Sequence, residues 1–201
     1  MPVDRKVLAR RLELLLAEVD RAAGKELDGA LARLADSATV LLRAAGAGLM
    51  LVGEHDTLHC VAASDRTGRA LETAQERLGE GPDLEAFRRD AVVVSTDLPA
   101  DARWPDLRYL VDREAVRAVM SAPVRLPGEG PLGTVIGTLN VYLSLPHDWD
   151  VAEISALTAY ADVAASLVAM ALLARVRGTL LDRLLVALRS PEGRRTAPPR
   201  P

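Results

Sequence analysis

The stretch from Gly79 to Tyr142 constrains this chain most, because turn residues cut it at short intervals and leave strand-like pieces between the cuts. GEGP at Gly79–Pro82 is a turn, and Leu84, Phe87 and Arg88 after it share one helical face. Ala91–Ser95 is an unbroken run rich in valine, the pattern of a strand covered on both faces. Asp97-Leu98-Pro99 ends that run, and Asp101 is placed to cap a turn carrying Trp104, Leu107 and Leu110. Val116–Leu126 reads as the next strand, a Pro/Gly loop follows at Pro127–Pro131, and Val135–Leu143 returns antiparallel to it. Pro123 cannot donate to a ladder, so it marks an edge, a bulge or a place where pairing stops.

Upstream, Ala47–Gly53 and Thr57–Ser64 form a hairpin around Gly53-Glu54-His55-Asp56. Asp65–Gly79 is an amphipathic helix carrying Arg69, Leu71, Ala74, Gln75 and Leu78. The remainder is helical. Leu27, Leu31, Leu34, Ala38, Leu41 and Ala45 recur in steps of four and three and pack on the sheet. Asp150 with Glu153 three residues on reads as a capping box, and Ile154, Leu157, Ala161, Ala164, Val168 and Ala171 carry a stripe onward. The pattern passes Gly178, a break in helix propensity, and stops at Ser190-Pro191. The polar residues of Ile154–Leu173 make it a packing helix and not a membrane span. Two helical seams are expected to pair with a second chain: Leu8, Leu12, Leu15 and Val19 near the N-terminus, and Leu157, Ala161, Ala164 and Val168 near the C-terminus. The proline-rich basic end from residue 191 has nothing to bury and is expected to be disordered.

Chemistry is sparse. A net charge of −3 gives no general attraction to nucleic acid or anionic membrane, and Arg194, Arg195 and Arg200 are too few to bind RNA strongly. One cysteine, Cys60, excludes an internal disulfide and, with no signal peptide, fits the cytoplasm. The three histidines His55, His59 and His147 have no metal-ligand spacing, and no hydrolase, phosphate-loop or CxxC motif occurs. His59 and Cys60 are adjacent on a strand, so their side chains point to opposite faces and cannot act on one atom. Asp97 is expected to bond turn amides.

Taken together, LARLADSATVLL, AGLMLV, HCVAASD, GEGPDLEAF, VVVSTDL with DARWPDL, VRAVMSAPVRL and IGTLNVYL resemble, in order and spacing, a GAF domain. Within that superfamily they are similar to the sensor half of actinobacterial proteins that join GAF to an RNA-binding ANTAR domain. The ANTAR helices are missing; LDRLLVALRS resembles only the linker helix before them. The resemblance implies an α+β fold with a central antiparallel sheet of about six strands. It places N- and C-terminal helices on one face and a pocket under short helices and loops on the other. The expected organisation is a dimerising helix at 1–24, the GAF domain at 25–176, a helical extension at 177–190 and a tail at 191–201. The resemblance implies a non-catalytic sensory and signal-transduction module that binds a small ligand or regulatory protein and acts as a homodimer. No cofactor is identified. The pocket residues expected on the lidded face are His59, Phe87, Trp104, Met120 and Asn140. Two alternatives are a sensor half working with a separate RNA antitermination output protein, and a divergent free-methionine sulfoxide reductase. The second needs several cysteines for its cycle, and only Cys60 is present. The NKFDE signature of cyclic-nucleotide-binding GAF domains is absent, and Asp83 stands after GEGP where related sensors often carry cysteine.

Overall fold

The computed structural model describes residues 25–53, 57–111, 115–126 and 133–189, with side chains up to Val176. Two compact units divide the chain, and the sheet lies wholly in residues 26–169. The expected N-terminal seam at Leu8, Leu12, Leu15 and Val19, like the tail from residue 191, lies outside the described residues.

A helix over residues 25–41 (α1) leads into β1 (Gly46–Val52) and β2 (Leu58–Ala63). Two helices follow, α2 (Arg66–Leu78) and α3 (Pro82–Arg89), then the three-residue β3 (Val93–Ser95), a 3₁₀ turn and the short α4 (Leu107–Leu110). The long strands β4 (Ala118–Leu126) and β5 (Thr134–Leu143) pair with each other, and α5 (Val151–Arg189) closes the chain. The sheet is antiparallel in the order β2-β1-β5-β4-β3. It has five strands, not about six: every strand read from the residues forms, and the sixth came only from family resemblance.

β3 is shorter than the Ala91–Ser95 run because Ala91 is exposed and only Val93 to Ser95 pair with β4. That pairing stops at Ser121, two residues before Pro123, while the ladder to β5 continues through Pro123 opposite Thr138. The missing donor at Pro123 thus falls where β3 has ended.

Strand parity divides the sheet into two cores. Leu49, Met120, Ala122, Val124, Leu139 and Val141 join the helix face with Leu31, Leu34, Ala35 and Ala38 of α1 and Leu157, Ala161, Ala164 and Ala165 of α5. Each fully buried leucine there contributes roughly 1.5–3 kcal/mol. In α1 the stripe follows 3.6 residues per turn, so Leu42 is buried whereas Leu41 is 59% exposed, correcting the strict four-and-three reading. On the opposite, lid face Val119, Tyr142, Leu71, Ala74, Ala86, Leu98, Trp104 and Leu107 form a second cluster under α2, α3 and α4.

The caps follow the sequence. Asp65 accepts from Gly68 N at 2.7 Å to start α2, and Gly79, with φ of 68°, ends it. Asp150 Oδ1 accepts from Glu153 N at 2.9 Å and Glu153 Oε2 from Asp150 N at 2.9 Å, completing the capping box of α5. Gly178 does not interrupt that helix. Asp97 departs from expectation: its carboxylate takes both Nε and Nη2 of Arg117 at 2.9 Å, a bidentate pair between the chain leaving β3 and the residue before β4.

Candidate functional site

Under α2 and α3, the lid face carries a set of polar side chains sealed from solvent: Glu72, Gln75, Asp83, Ser121, Thr138 and Asn140 are all fully buried. Alternation along TLNV in β5 puts Thr138 and Asn140 on this face while Leu139 and Val141 turn to the helices. Ser121 lies opposite Asn140 on β4, and Gly48 opposite it on β1. Glu72 and Gln75, three apart on α2, descend from above, and Asp83 enters from the first turn of α3.

Asp83 is the hub. Gln75 Nε2, Ser121 Oγ and Asn140 Nδ2 all donate to its carboxylate, the last at 2.6 Å, and its own backbone N–H donates to Gln75 Oε1 at 2.9 Å. Gln75 therefore caps α3 from the neighbouring helix. Asn140 Nδ2 also donates to Glu72 Oε1. Among the described residues no cation makes an ion pair with either carboxyl.

Burial of that kind penalises charge. Desolvation first, and then the Asp83 charge, hold the Glu72 carboxyl well above its ordinary range. Desolvation also raises Asp83, while hydrogen bonds from Ser121, Gln75, Asn140 and Glu72 pull it back. Two carboxyls in one dry site disfavour double ionisation, and the donors converging on Asp83 favour it as the anion and Glu72 as the protonated acid. Glu72 Oε2 is buried without a hydrogen-bond partner, so a carboxyl protonated there avoids leaving a bare charge in the dry site. Thr138 Oγ1 and Asn140 Oδ1 are buried without a partner, each at a cost of about 1–3 kcal/mol.

The backbone accommodates this cluster. A Cβ on Gly48 would collide with the Glu72 carboxylate, so β1 yields to the acid. Gly81, at φ 136°, leaves room for Gln75 and adopts backbone geometry that other residues rarely take.

The five expected pocket residues are dispersed. Asn140 sits at the centre of the polar cluster. Phe87 on α3 packs with Met50, Leu58 and Leu84, and Trp104 lies in the lid core beneath the guanidinium of Arg103, 4.2 Å from its ring centre. Met120 belongs to the opposite core: β4 turns Val119 and Ser121 to the lid and Met120 to the helices, a correction of one residue in parity. His59 lies on edge strand β2, half exposed, bonded to Glu76 at 2.7 Å and Thr57 at 2.8 Å, and takes no part in the cluster. Glu72, Gln75, Asp83, Ser121 and Thr138 were missed. A signal was present for Glu72, Gln75 and Thr138, as polar positions interrupting the apolar face of α2 and the alternation of β5.

Cys60 is half-buried, and desolvation, followed by the charge of Glu72, pushes its thiol up to about 11. That is the opposite of an activated nucleophile. Among the described residues no group of three or more metal-ligating side chains converges.

A five-stranded antiparallel sheet with helices on one face and a helical lid sealing polar groups on the other defines the class of the fold as α+β. The chain belongs to the GAF domain family, which it matches over residues 24–169. Solved structures agree on the fold. The GAF domain of a phosphoenolpyruvate-protein phosphotransferase from Coxiella burnetii is 18% identical with a TM-score of 0.58, covering 82% of this chain and 96% of that one. The corresponding Acinetobacter domain is 16% identical with a TM-score of 0.56, covering 78% and 91%. A type II free methionine-R-sulfoxide reductase from Thermoplasma acidophilum is 17% identical with a TM-score of 0.56, covering 75% and 94%. No curated protein matches the chain.

Proposed function

We propose that this chain is a non-catalytic sensory module in which a small ligand engages the lid-face cluster and the terminal helices report its presence through a homodimer. One observation carries the reading: Thr138 Oγ1 and Asn140 Oδ1 are buried acceptors without donors, beside two carboxyls that share one proton. A ligand that brings hydrogen-bond donors under α3 recovers the energy those atoms lack. Strand β5 provides the mechanical link, since Asn140 faces the cluster while Leu139 and Val141 sit in the core that holds α5.

The C-terminal seam needs correction within this proposal. Leu157, Ala161, Ala164 and Val168 are spent in the core and offer nothing to a second chain. A parallel stripe remains on the outer side of α5, where Ala152, Ala159, Val163, Met170 and Leu173 are exposed at separations of three, four and seven. That spacing, with small residues at its start, suits close helix pairing with the same helix of a second copy.

Against a reductase of the Thermoplasma kind stands chemistry: a lone thiol held up near 11 supplies neither an activated sulfur nor a resolving partner. Native mass spectrometry on gently purified protein, compared with the denatured mass, tests the proposal. A dimer carrying extra non-covalent mass is the expected result. An empty monomer at tens of micromolar refutes it.

A further inference from the structure

We propose that the trough between the outer side of α2 and the end of α4 is a docking site for an acidic amphipathic helix of a partner protein. The trough encloses about 370 Å³ and is lined by Arg66, Arg69, Ala70, Thr73, Ala74 and Arg77 of α2 and by Leu110 of α4. It lies on the solvent side of the lid, separate from the sealed cluster beneath.

Three features specify the occupant. The first is charge: Arg66, Arg69, Thr73 and Arg77 follow one another in steps of three, four and four, so the cations line one stripe. Arg66 to Arg77 spans eleven residues, roughly 16 Å of helix. Among the described residues the guanidiniums of Arg66 and Arg77 have no ion-pair or hydrogen-bond partner, and Arg69 reaches only the Cys60 sulfur at 3.8 Å. Arg66 also opens α2, the positive end of the helix dipole, where an unpaired cation is disfavoured and a carboxylate brought from outside is favoured.

The second feature is the apolar wall. Leu110 is 50% exposed, and the exposed Ala70 is small enough to admit another helix at the 8–10 Å separation of packed helices. The third is length, since a trough of three turns fits a helix carrying acids along one flank of an alanine and leucine stripe, in the helix-in-groove mode. Nucleic acid fits less well: the floor is apolar, only three cations face it, and the chain carries a net charge of −3.

The test is fluorescence anisotropy with the full chain and a labelled helical peptide bearing glutamates beside a leucine and alanine stripe. The same peptide with glutamine for glutamate and a single-stranded RNA serve as comparisons. The glutamate peptide is expected to bind about tenfold more tightly than its glutamine counterpart, and to weaken about tenfold in an Arg66→Gln/Arg77→Gln variant. Leu110→Ser is expected to weaken it about threefold, an effect that purely ionic attraction would not show. These side chains are exposed, so unchanged circular dichroism melts accompany the losses. Equal binding of the two peptides, indifference to either variant, absence of binding at about 1 mM, or tighter binding of the RNA overturns the proposal. None of these results bears on whether the sealed cluster takes a ligand.

Discussion

Replacing Glu72 by glutamine is expected to stabilise the protein above the ordinary glutamate range and to remove most of a decline in stability as pH rises beyond about 5. In the fold the carboxyl is raised, so the folded chain holds a proton that the unfolded chain, with an ordinary value near 4.3, has released. Between those two values folding takes up a proton, and stability falls as pH rises. The slope is about 1.4 kcal/mol per pH unit wherever the folded chain holds one proton more than the unfolded chain. Asp83 is shifted in the same direction and adds the same sign just above its own unfolded value. Glutamine keeps the geometry: its carbonyl accepts from Asn140, its amide donates to Asp83, and it has no proton to lose. The gain therefore grows as pH rises from the unfolded value toward the raised folded one, and glutamine holds it throughout. Urea unfolding of both proteins at several pH values supplies the measurement, and subtracting one pH profile from the other cancels every other titrating group. If the two slopes coincide, or if the wild-type profile rises relative to that of the variant as pH increases, the shared-proton assignment is wrong.

Gly48→Ala drives a methyl group into the Glu72 carboxylate and is expected to cost about 2–4 kcal/mol in urea unfolding, a loss that shrinks when Glu72 is also cut back to alanine. Val163→Glu places a charge on the exposed side of α5 and is expected to convert a dimer to a monomer in light scattering while leaving the sheet's melting within about 0.5 kcal/mol of wild type. The Cys60 thiol, held near 11, is expected to react with a disulfide reagent at about pH 8 at least tenfold more slowly than a free cysteine, and Cys60→Ser to retain every signalling readout.

The elements were legible wherever punctuation and periodicity agreed. GEGP fixed the join of α2 and α3, Asp150 and Glu153 announced the start of α5, and short apolar stretches between turn residues marked all five strands. The site was legible only in part, because β4 is buried on both sides. Its sequence AVMSAPV offers Met120 and Ser121 with nothing to say which looks at the lid, and pairing one residue differently exchanges them. Asp83 drew notice only as a place without cysteine, since a carboxylate after a turn is ordinarily a solvated cap. What makes it a hub is the convergence of Ser121, Asn140 and Gln75, separated from it by 38, 57 and 8 residues, which local pattern does not encode.

The same ambiguity explains α5. Residues 151–176 have a window of mean hydropathy 1.8, long and apolar enough by composition to cross a membrane. An ordinary surface helix shows one apolar stripe, and this one carries two, offset around the axis. Leu157, Ala161, Ala164 and Val168 are accounted for by the sheet. Val163, Met170 and Leu173 are exposed, and a further stripe of this length in water invites a partner surface. Sequence spacing found the first stripe and assigned it the role that only the second is free to play, because a heptad pattern states that a helix packs and not what it packs against. Val163→Glu separates the two roles: a charge on the outer stripe is expected to disrupt the proposed pairing without touching the core, whereas Leu157→Glu is expected to unfold the domain.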